Sequence, residues 1–264
     1  MNIIKILQMK GKEPITVITA YDYFSAKVCE RCGMDMILVG DSLGNVVLGY
    51  NSTLNVEMDD MIRHIEAVRR GAPNSFIVGD MPFMSYQSSD DEGMKNAGML
   101  MKAGANCVKL EGGLRIVPIV KRLVDSGIPV MGHIGLTPQS VNQIGGYRVQ
   151  GRGNDAQRMI NESKALEDAG IFSLVLELTF EETAKAITES LSIPTIGIGA
   201  GRYCDGQVLV WHDLLGINDG KISKFVKKYA DLNSEIENAL KNYVKDVKER
   251  KFPDEDHTFT EKER

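Results

Sequence analysis

Eight short apolar runs recur along the chain, at residues 17–19, 36–39, 76–78, 107–110, 130–131, 174–176, 195–198 and 208–210. Seven are followed within three residues by an acidic residue or a histidine: Asp22, Asp41, Asp80, Glu111, His133, Glu177 and the pair His212-Asp213. The run at 195–198 opens instead into glycines. Short apolar runs alternating with amphipathic stretches predict an α/β fold, the eight-stranded (β/α)8 TIM barrel. Barrels of this type carry their chemistry at the carboxyl ends of the strands, so polar residues stationed there read as a site. The expectation is therefore an enzyme.

With 264 residues, one barrel domain fills the whole of 1–264. The intervening segments change to helical periodicity. Met61, Ile62, Ile65 and Val68 fall on one stripe of a helix expected over 57–70. Ser89-Asp-Asp-Glu92 and Thr179-Phe-Glu-Glu182 have capping-box spacing and predict helix starts, while Gly104, Gly127 and Gly170 predict helix ends just before new strands. Two regions break the rhythm. Residues 135–154, polar and rich in glycine, read as a lid over the site. Beyond the eighth run, 221–247 reads as a C-terminal helical extension with Leu232, Ile236, Leu240, Tyr243 and Val247 on one stripe, and 248–264 as a charged, frayed tail.

A net charge of −5 without a basic stripe argues against a nucleic-acid face; Arg69 and Arg70 sit at a helix end, where positive charge suits the dipole. No apolar stretch approaches the roughly 20 residues that span a bilayer, which predicts no membrane anchor and a cytoplasmic location. Four cysteines make no disulfide framework in a chain of this length, and the lone Cys29-x-x-Cys32 lacks a second ligand pair. Cys107 lies within a run and reads as a small core residue.

Asp41, Asp80 and Glu111 follow successive strands. Neighbouring strand ends are about 5 Å apart, so three carboxylates converge there, and three converging anions call for a cation. All-oxygen ligation with open positions suits Mg²⁺. The plainer alternative makes each acid a solvated strand end or a turn cap. Lys109 shares a strand face with Glu111 and is either paired with these acids or held for a substrate carboxylate. His133 can donate to a substrate oxygen or be a structural, hydrogen-bonded histidine, whereas His64, inside a helix, reads as ordinary. Glu177, after Leu174-Val-Leu176, can serve as a general base in an apolar frame or as a salt-bridged structural residue. Gly197-Ile-Gly-Ala-Gly201 is a weak match to a barrel phosphate loop.

Several ordered motifs go further than spacing. Thr19-Ala-Tyr-Asp-Tyr23, Leu38-Val-Gly-Asp-Ser-Leu-Gly44, Asp80-Met-Pro-Phe83, Val108-Lys-Leu-Glu-Gly-Gly113, Gly132-His-Ile-Gly-Leu-Thr-Pro-Gln-Ser140, Gly146-Tyr-Arg-Val-Gln-Gly151 and Ile196-Gly-Ile-Gly-Ala-Gly201 closely resemble the ketopantoate hydroxymethyltransferase family. The resemblance implies a barrel of the phosphoenolpyruvate/pyruvate type, one Mg²⁺ per subunit, and transfer of a hydroxymethyl group from 5,10-methylenetetrahydrofolate to 3-methyl-2-oxobutanoate, giving 2-dehydropantoate for pantothenate biosynthesis. It implies metal binding by Asp41 and Asp80 with Glu111 completing the surroundings, keto-acid binding by Ser42 and Lys109, proton abstraction by Glu177, and a homodecamer of two five-membered rings. Thr179-Phe180 and Ser223 depart from the family pattern, away from those residues.

That chemistry suits the residues. A metal-stabilised enolate of the keto acid needs a Lewis acid, a nearby cation and a base, and no covalent nucleophile. A lyase of the related pyruvate barrels would share the metal but carry a Lys-Cys-Gly-type loop, which is absent. A non-catalytic binding barrel would keep the ligands without needing Glu177.

Overall fold

The computed structural model describes residues 1–260 except 219 and 221. The chain divides into two compact units, Met1–Trp211 and His212–Arg264. In the first, eight parallel strands close into a barrel in sequence order: β1 (Ile15–Thr19), β2 (Met36–Val39), β3 (Phe76–Asp80), β4 (Cys107–Glu111), β5 (Val130–Gly135), β6 (Ser173–Glu177), β7 (Thr195–Ile198) and β8 (Gly206–Leu209), with β8 pairing back onto β1. Every expected strand is present.

Strand alternation sorts the side chains. Val17, Met36, Leu38, Phe76, Val78, Cys107, Met131, Val175, Ile196 and Val208 form one buried core cluster filling the barrel. Residues one step out of phase, such as Ile37, Ile77, Val108 and Leu110, are equally buried but serve the strand–helix layer. A short helix, Ile3–Met9, sends Ile6 and Met9 into the same cluster, a role that residue pattern alone did not indicate. It is N-capped by Asn2, whose side chain accepts from the Lys5 N–H at 2.9 Å. Nearby, Asp205 fixes the β7–β8 junction: it takes the Lys10 ammonium at 2.8 Å and the Thr195 N–H at 2.9 Å.

Two steps further along the inward face the residues become polar. Phe76 and Val78 lead to Asp80, Cys107 to Lys109 and Glu111, Met131 to His133, and Val175 to Glu177. Pairing register sets Asp80 beside Lys109, Glu111 beside His133, and Glu177 beside Gly135. The barrel is thus apolar through its interior and ionic at its carboxyl end.

The helix expected over 57–70 is Met58–Gly71, with Glu57 as its cap. The helix Asp90–Ala103 starts at the expected Ser89 cap, which accepts from the Glu92 N–H at 3.2 Å. Gly104, Gly127 and Gly170 all have positive φ at helix ends, as predicted. The second capping box does not form. The helix begins at Glu181, and the Thr179 hydroxyl turns back to the Glu177 carbonyl at 3.1 Å because Thr179 is engaged in a bridge with Gln150.

In the second unit, the helix is Leu232–Lys248, shorter than the 221–247 extension expected from sequence. Residues 222–231 have no helix, and 221 lies outside the described residues. Ile236, Leu240, Tyr243 and Val247 are exposed within this unit. Of the tail, 249–260 folds back so that Phe252 meets the Tyr243 ring edge-on at 5.7 Å, while 261–264 lie outside the described residues. No described helix is long and apolar enough to cross a membrane.

Candidate active site

Lys109 is the electrostatic centre of the barrel mouth. Its side chain is 4% exposed, and its ammonium lies 2.7 Å from Asp80 Oδ1, 3.8 Å from Glu111 Oε1 and 3.3 Å from His133 Nδ1. Burying a lone ammonium costs several kcal/mol, and the surrounding carboxylates offset that cost. Burial alone would lower the lysine pKa, but Asp80, Glu111 and Asp41 together raise it, so it is a fixed positive charge.

The carboxylates are not balanced by it. Burial, followed by repulsion from Asp80 and Glu111, pushes Asp41 well above the ordinary range. Asp80 is also raised, chiefly by burial, with Lys109 opposing. Glu111 goes the other way: burial would raise it, yet His133 and Lys109 hold it below its usual value. His133 is raised to about 9, since Glu111 and Glu177 outweigh burial and the lysine. Its Nδ1 lies 3.4 Å from Glu111 Oε1 and its Nε2 3.3 Å from Glu177 Oε2. The second contact is near enough for an ion pair but too far off line for a hydrogen bond. A protonated ring flanked by two carboxylates directs Nδ1–H at Glu111 rather than accepting from Lys109. His133 therefore links the Asp41–Asp80–Glu111 cluster to Glu177.

The residues fit a divalent cation. Asp80 Oδ1 is fully buried and receives no aligned hydrogen bond, its 2.7 Å contact with Lys109 being an ion pair of poor angle. Asp41 and Asp80 are adjacent, since the Asp41 N–H donates to Asp80 Oδ2 at 3.2 Å. Among the described residues no group of three or more acidic, histidine or cysteine side chains is placed to hold a metal ion, so a cation here would rest on fewer protein ligands. Mg²⁺ is commonly held by one or two carboxylates, with water and substrate oxygens completing the octahedron. Glu111 has both oxygens engaged, Oε2 accepting from the Gln139 N–H at 3.1 Å and Oε1 facing His133, so it is occupied in orienting neighbours.

Of the other expected site residues, Ser42 bonds the Tyr21 hydroxyl at 2.8 Å, which aims its side chain beside Asp41. Asp22 is an ordinary helix cap, accepting from the N–H groups of Phe24 and Ser25. His64 Nδ1 meets the Tyr21 carbonyl, a structural contact. Cys29 and Cys107 are buried, and Cys32 is exposed. The glycine run after β7 makes a tight turn in which a Cβ at Gly201 would come within 2.5 Å of Glu181 Cγ. Gly135, at φ +95°, lets β5 approach β6 so closely that a Cβ there would stand 2.2 Å from the Glu177 carbonyl oxygen.

Sequence reasoning did not single out Gln139 and Tyr86, both buried in the cluster. The insert after β5 is divided: its root, including Thr137 and Gln139, is buried, whereas Tyr147 and Val149 are exposed. Burial, then the charges of Glu177, Asp41 and Glu111, raise the Tyr147 hydroxyl's pKa. Residues 141–150 should therefore gain hydrogen-exchange protection when keto acid and a folate analogue bind, while 137–140 stay protected throughout. Equal exchange of 141–150 in both states would remove the lid from the account.

A family model described as ketopantoate hydroxymethyltransferase matches residues 1–255. The 3-methyl-2-oxobutanoate hydroxymethyltransferase of Kosmotoga olearia is 57% identical over 260 residues, spanning 98% of this chain and 97% of its own. That of Thermosipho melanesiensis is 59% identical over 260 residues, spanning 98% of both chains. Among solved structures, a phosphoenolpyruvate phosphomutase from Streptomyces platensis subsp. rosaceus aligns with a TM-score of 0.64 at 13% identity, over 98% of this chain and 92% of its own. A 2,3-dimethylmalate lyase of the PEP mutase/isocitrate lyase superfamily aligns with a TM-score of 0.62 at 16% identity, over 97% and 91%. At that identity the two structures speak for the fold alone.

Proposed function

The chain belongs to the ketopantoate hydroxymethyltransferase family and is a hydroxymethyltransferase, and we propose that it moves the one-carbon unit of 5,10-methylenetetrahydrofolate onto carbon 3 of 3-methyl-2-oxobutanoate at the mouth of β2–β6. The product would be 2-dehydropantoate, for pantothenate biosynthesis. The observation that carries this assignment of roles is the buried Lys109, with Asp80 at 2.7 Å, inside an excess of carboxylates that Glu177 joins through His133.

In this reading Asp41 and Asp80 hold the divalent cation, Mg²⁺, with Glu111 behind them. When bound, the cation supplies a Lewis acid that polarises the substrate's 2-oxo group and acidifies carbon 3. Lys109 holds the negative charge of the keto acid, and Ser42, aimed by Tyr21, donates to it. Glu177, with 17% of its side chain exposed, is accessible to substrate and takes the carbon-3 proton. The imidazolium of His133 faces Glu177 and steadies the carboxylate before proton transfer. Carbon 3 then bonds to the methylene carbon of the donor, both carbon–nitrogen bonds of that carbon break with their electron pairs left on nitrogen, and water supplies the hydroxyl; the proton taken by Glu177 and the remaining proton of the water end on the two nitrogens. Tyr147 and its neighbours cover the reacting groups. A homodecamer is the assembly proposed from the family resemblance.

The test is product formation from keto acid, methylenetetrahydrofolate and Mg²⁺ by the purified chain. Stoichiometric 2-dehydropantoate, lost when EDTA is added, is expected. No product from these substrates, or a rate indifferent to the chelator, would overturn the reading.

A further inference from the structure

One buried side chain ties the insert to the cluster and is itself fully occupied. Gln139 lies in the turn Pro138–Ser140 that follows β5 and is 5% exposed. Its Nε2 donates to Asp41 Oδ2 at 3.0 Å and to the Met81 carbonyl at 2.9 Å. Its Oε1 accepts from the Tyr86 hydroxyl at 3.0 Å and from Gln87 Nε2 at 3.1 Å. Two amide hydrogens and two lone pairs are thus all used, and the orientation is fixed, because a flipped amide would set oxygen against Asp41 and Met81. Its backbone N–H meanwhile donates to Glu111 Oε2 at 3.1 Å. Among the described residues, no other group hydrogen-bonds the Asp41 carboxylate.

We propose that Gln139 is a positioning residue for the divalent cation: it holds one Asp41 oxygen so that the other faces the ion, and through its backbone it sets Glu111 behind the pair. This rests on the reading that Asp41 and Asp80 are the metal ligands. With no hydrogen-bonding capacity left over, Gln139 does not touch substrate; it acts through the two carboxylates. Tyr86 and Gln87 keep the amide from turning. Tyr86 also brackets Glu111, its oxygen accepting from the Glu111 N–H at 3.0 Å and lying 3.1 Å from the Glu111 carbonyl. Because the same turn is the root of the 135–154 insert, the metal carboxylates and the lid share one anchor.

The probe is Mn²⁺ alone, titrated into the full chain without substrates and followed by electron paramagnetic resonance. Gln139→Met keeps the length of the side chain and removes its donors and acceptor. It should weaken Mn²⁺ binding by about 10–100-fold, the usual cost of losing a group that orients a metal ligand. Gln87→Met, on an exposed residue, should shift affinity in the same direction by less, since Tyr86 still holds the amide. A purely structural glutamine would lower the melting temperature and leave Mn²⁺ affinity at the parent value; that result overturns the proposal. Should Gln139→Met not fold, Gln87→Met decides, and parental affinity there counts against it equally. Failure of the underlying reading looks different: the parent would bind no stoichiometric Mn²⁺, or Asp80→Ala would bind it as tightly as the parent.

Discussion

Asp41→Asn is expected to yield a folded protein that transfers no measurable hydroxymethyl group. Asparagine keeps the shape and can still accept from Gln139 Nε2, so the 3.0 Å contact survives. What is lost is one of the two anionic ligands proposed for the cation, and with it the Lewis acidity that makes the carbon-3 proton removable; a fall of at least about 10³-fold is expected when such charge stabilisation is withdrawn. Thermal stability should hold or rise, because Asp41 is a buried carboxylate facing Asp80 and Glu111, and removing its charge relieves repulsion. Asp80→Ala should be equally inactive but less stable, since Lys109 then keeps its charge without the 2.7 Å partner, a loss of roughly 3–5 kcal/mol for a broken buried pair. Steady-state rates beside calorimetric melting curves check both. An Asp41→Asn enzyme retaining more than about a tenth of parental turnover would mean that these carboxylates do not supply electrostatic stabilisation of this size.

The strands and the convergence of their terminal residues were readable because both follow from local rules: period-2 alternation, glycine at helix ends, and the regular order of a parallel barrel. Asp80, Lys109, Glu111, His133 and Glu177 need only strand phase to be gathered at one end; Asp41 lies two residues beyond the end of β2 and out of phase with Leu38, in a turn where its N–H meets Asp80. Gln139 needs more. Its partners lie 28, 52, 53, 58 and 98 positions away in sequence, and the motif Pro138-Gln-Ser140 marks a turn without saying that the glutamine points inward. A buried polar residue on a turn hard against a strand end was the available signal. The Thr179 capping box failed for a similar reason, a distant bridge to Gln150 outcompeting a local cap. At the amino end, Ile6 and Met9 lie outside the strand–helix repeat, and only the core cluster they join gives them a role.

Glu177→Gln is the second large effect. Gln keeps the volume beside His133 and removes basicity, so metal and keto acid should bind nearly as in the parent while transfer slows by at least about 10²-fold, the lower range for loss of a general base. The proton step can be isolated from the transfer step. In deuterated water with Mg²⁺ and no folate, the parent should exchange the carbon-3 proton of 3-methyl-2-oxobutanoate at a rate seen directly by proton NMR, because enolisation needs only the cation, Lys109 and the base. The Glu177→Gln protein should exchange it at least about 10²-fold more slowly at saturating keto acid. Exchange by the variant as fast as by the parent would contradict the account at its centre: Glu177 would not be the base, and the proton would have to leave by way of His133 or a metal-bound hydroxide.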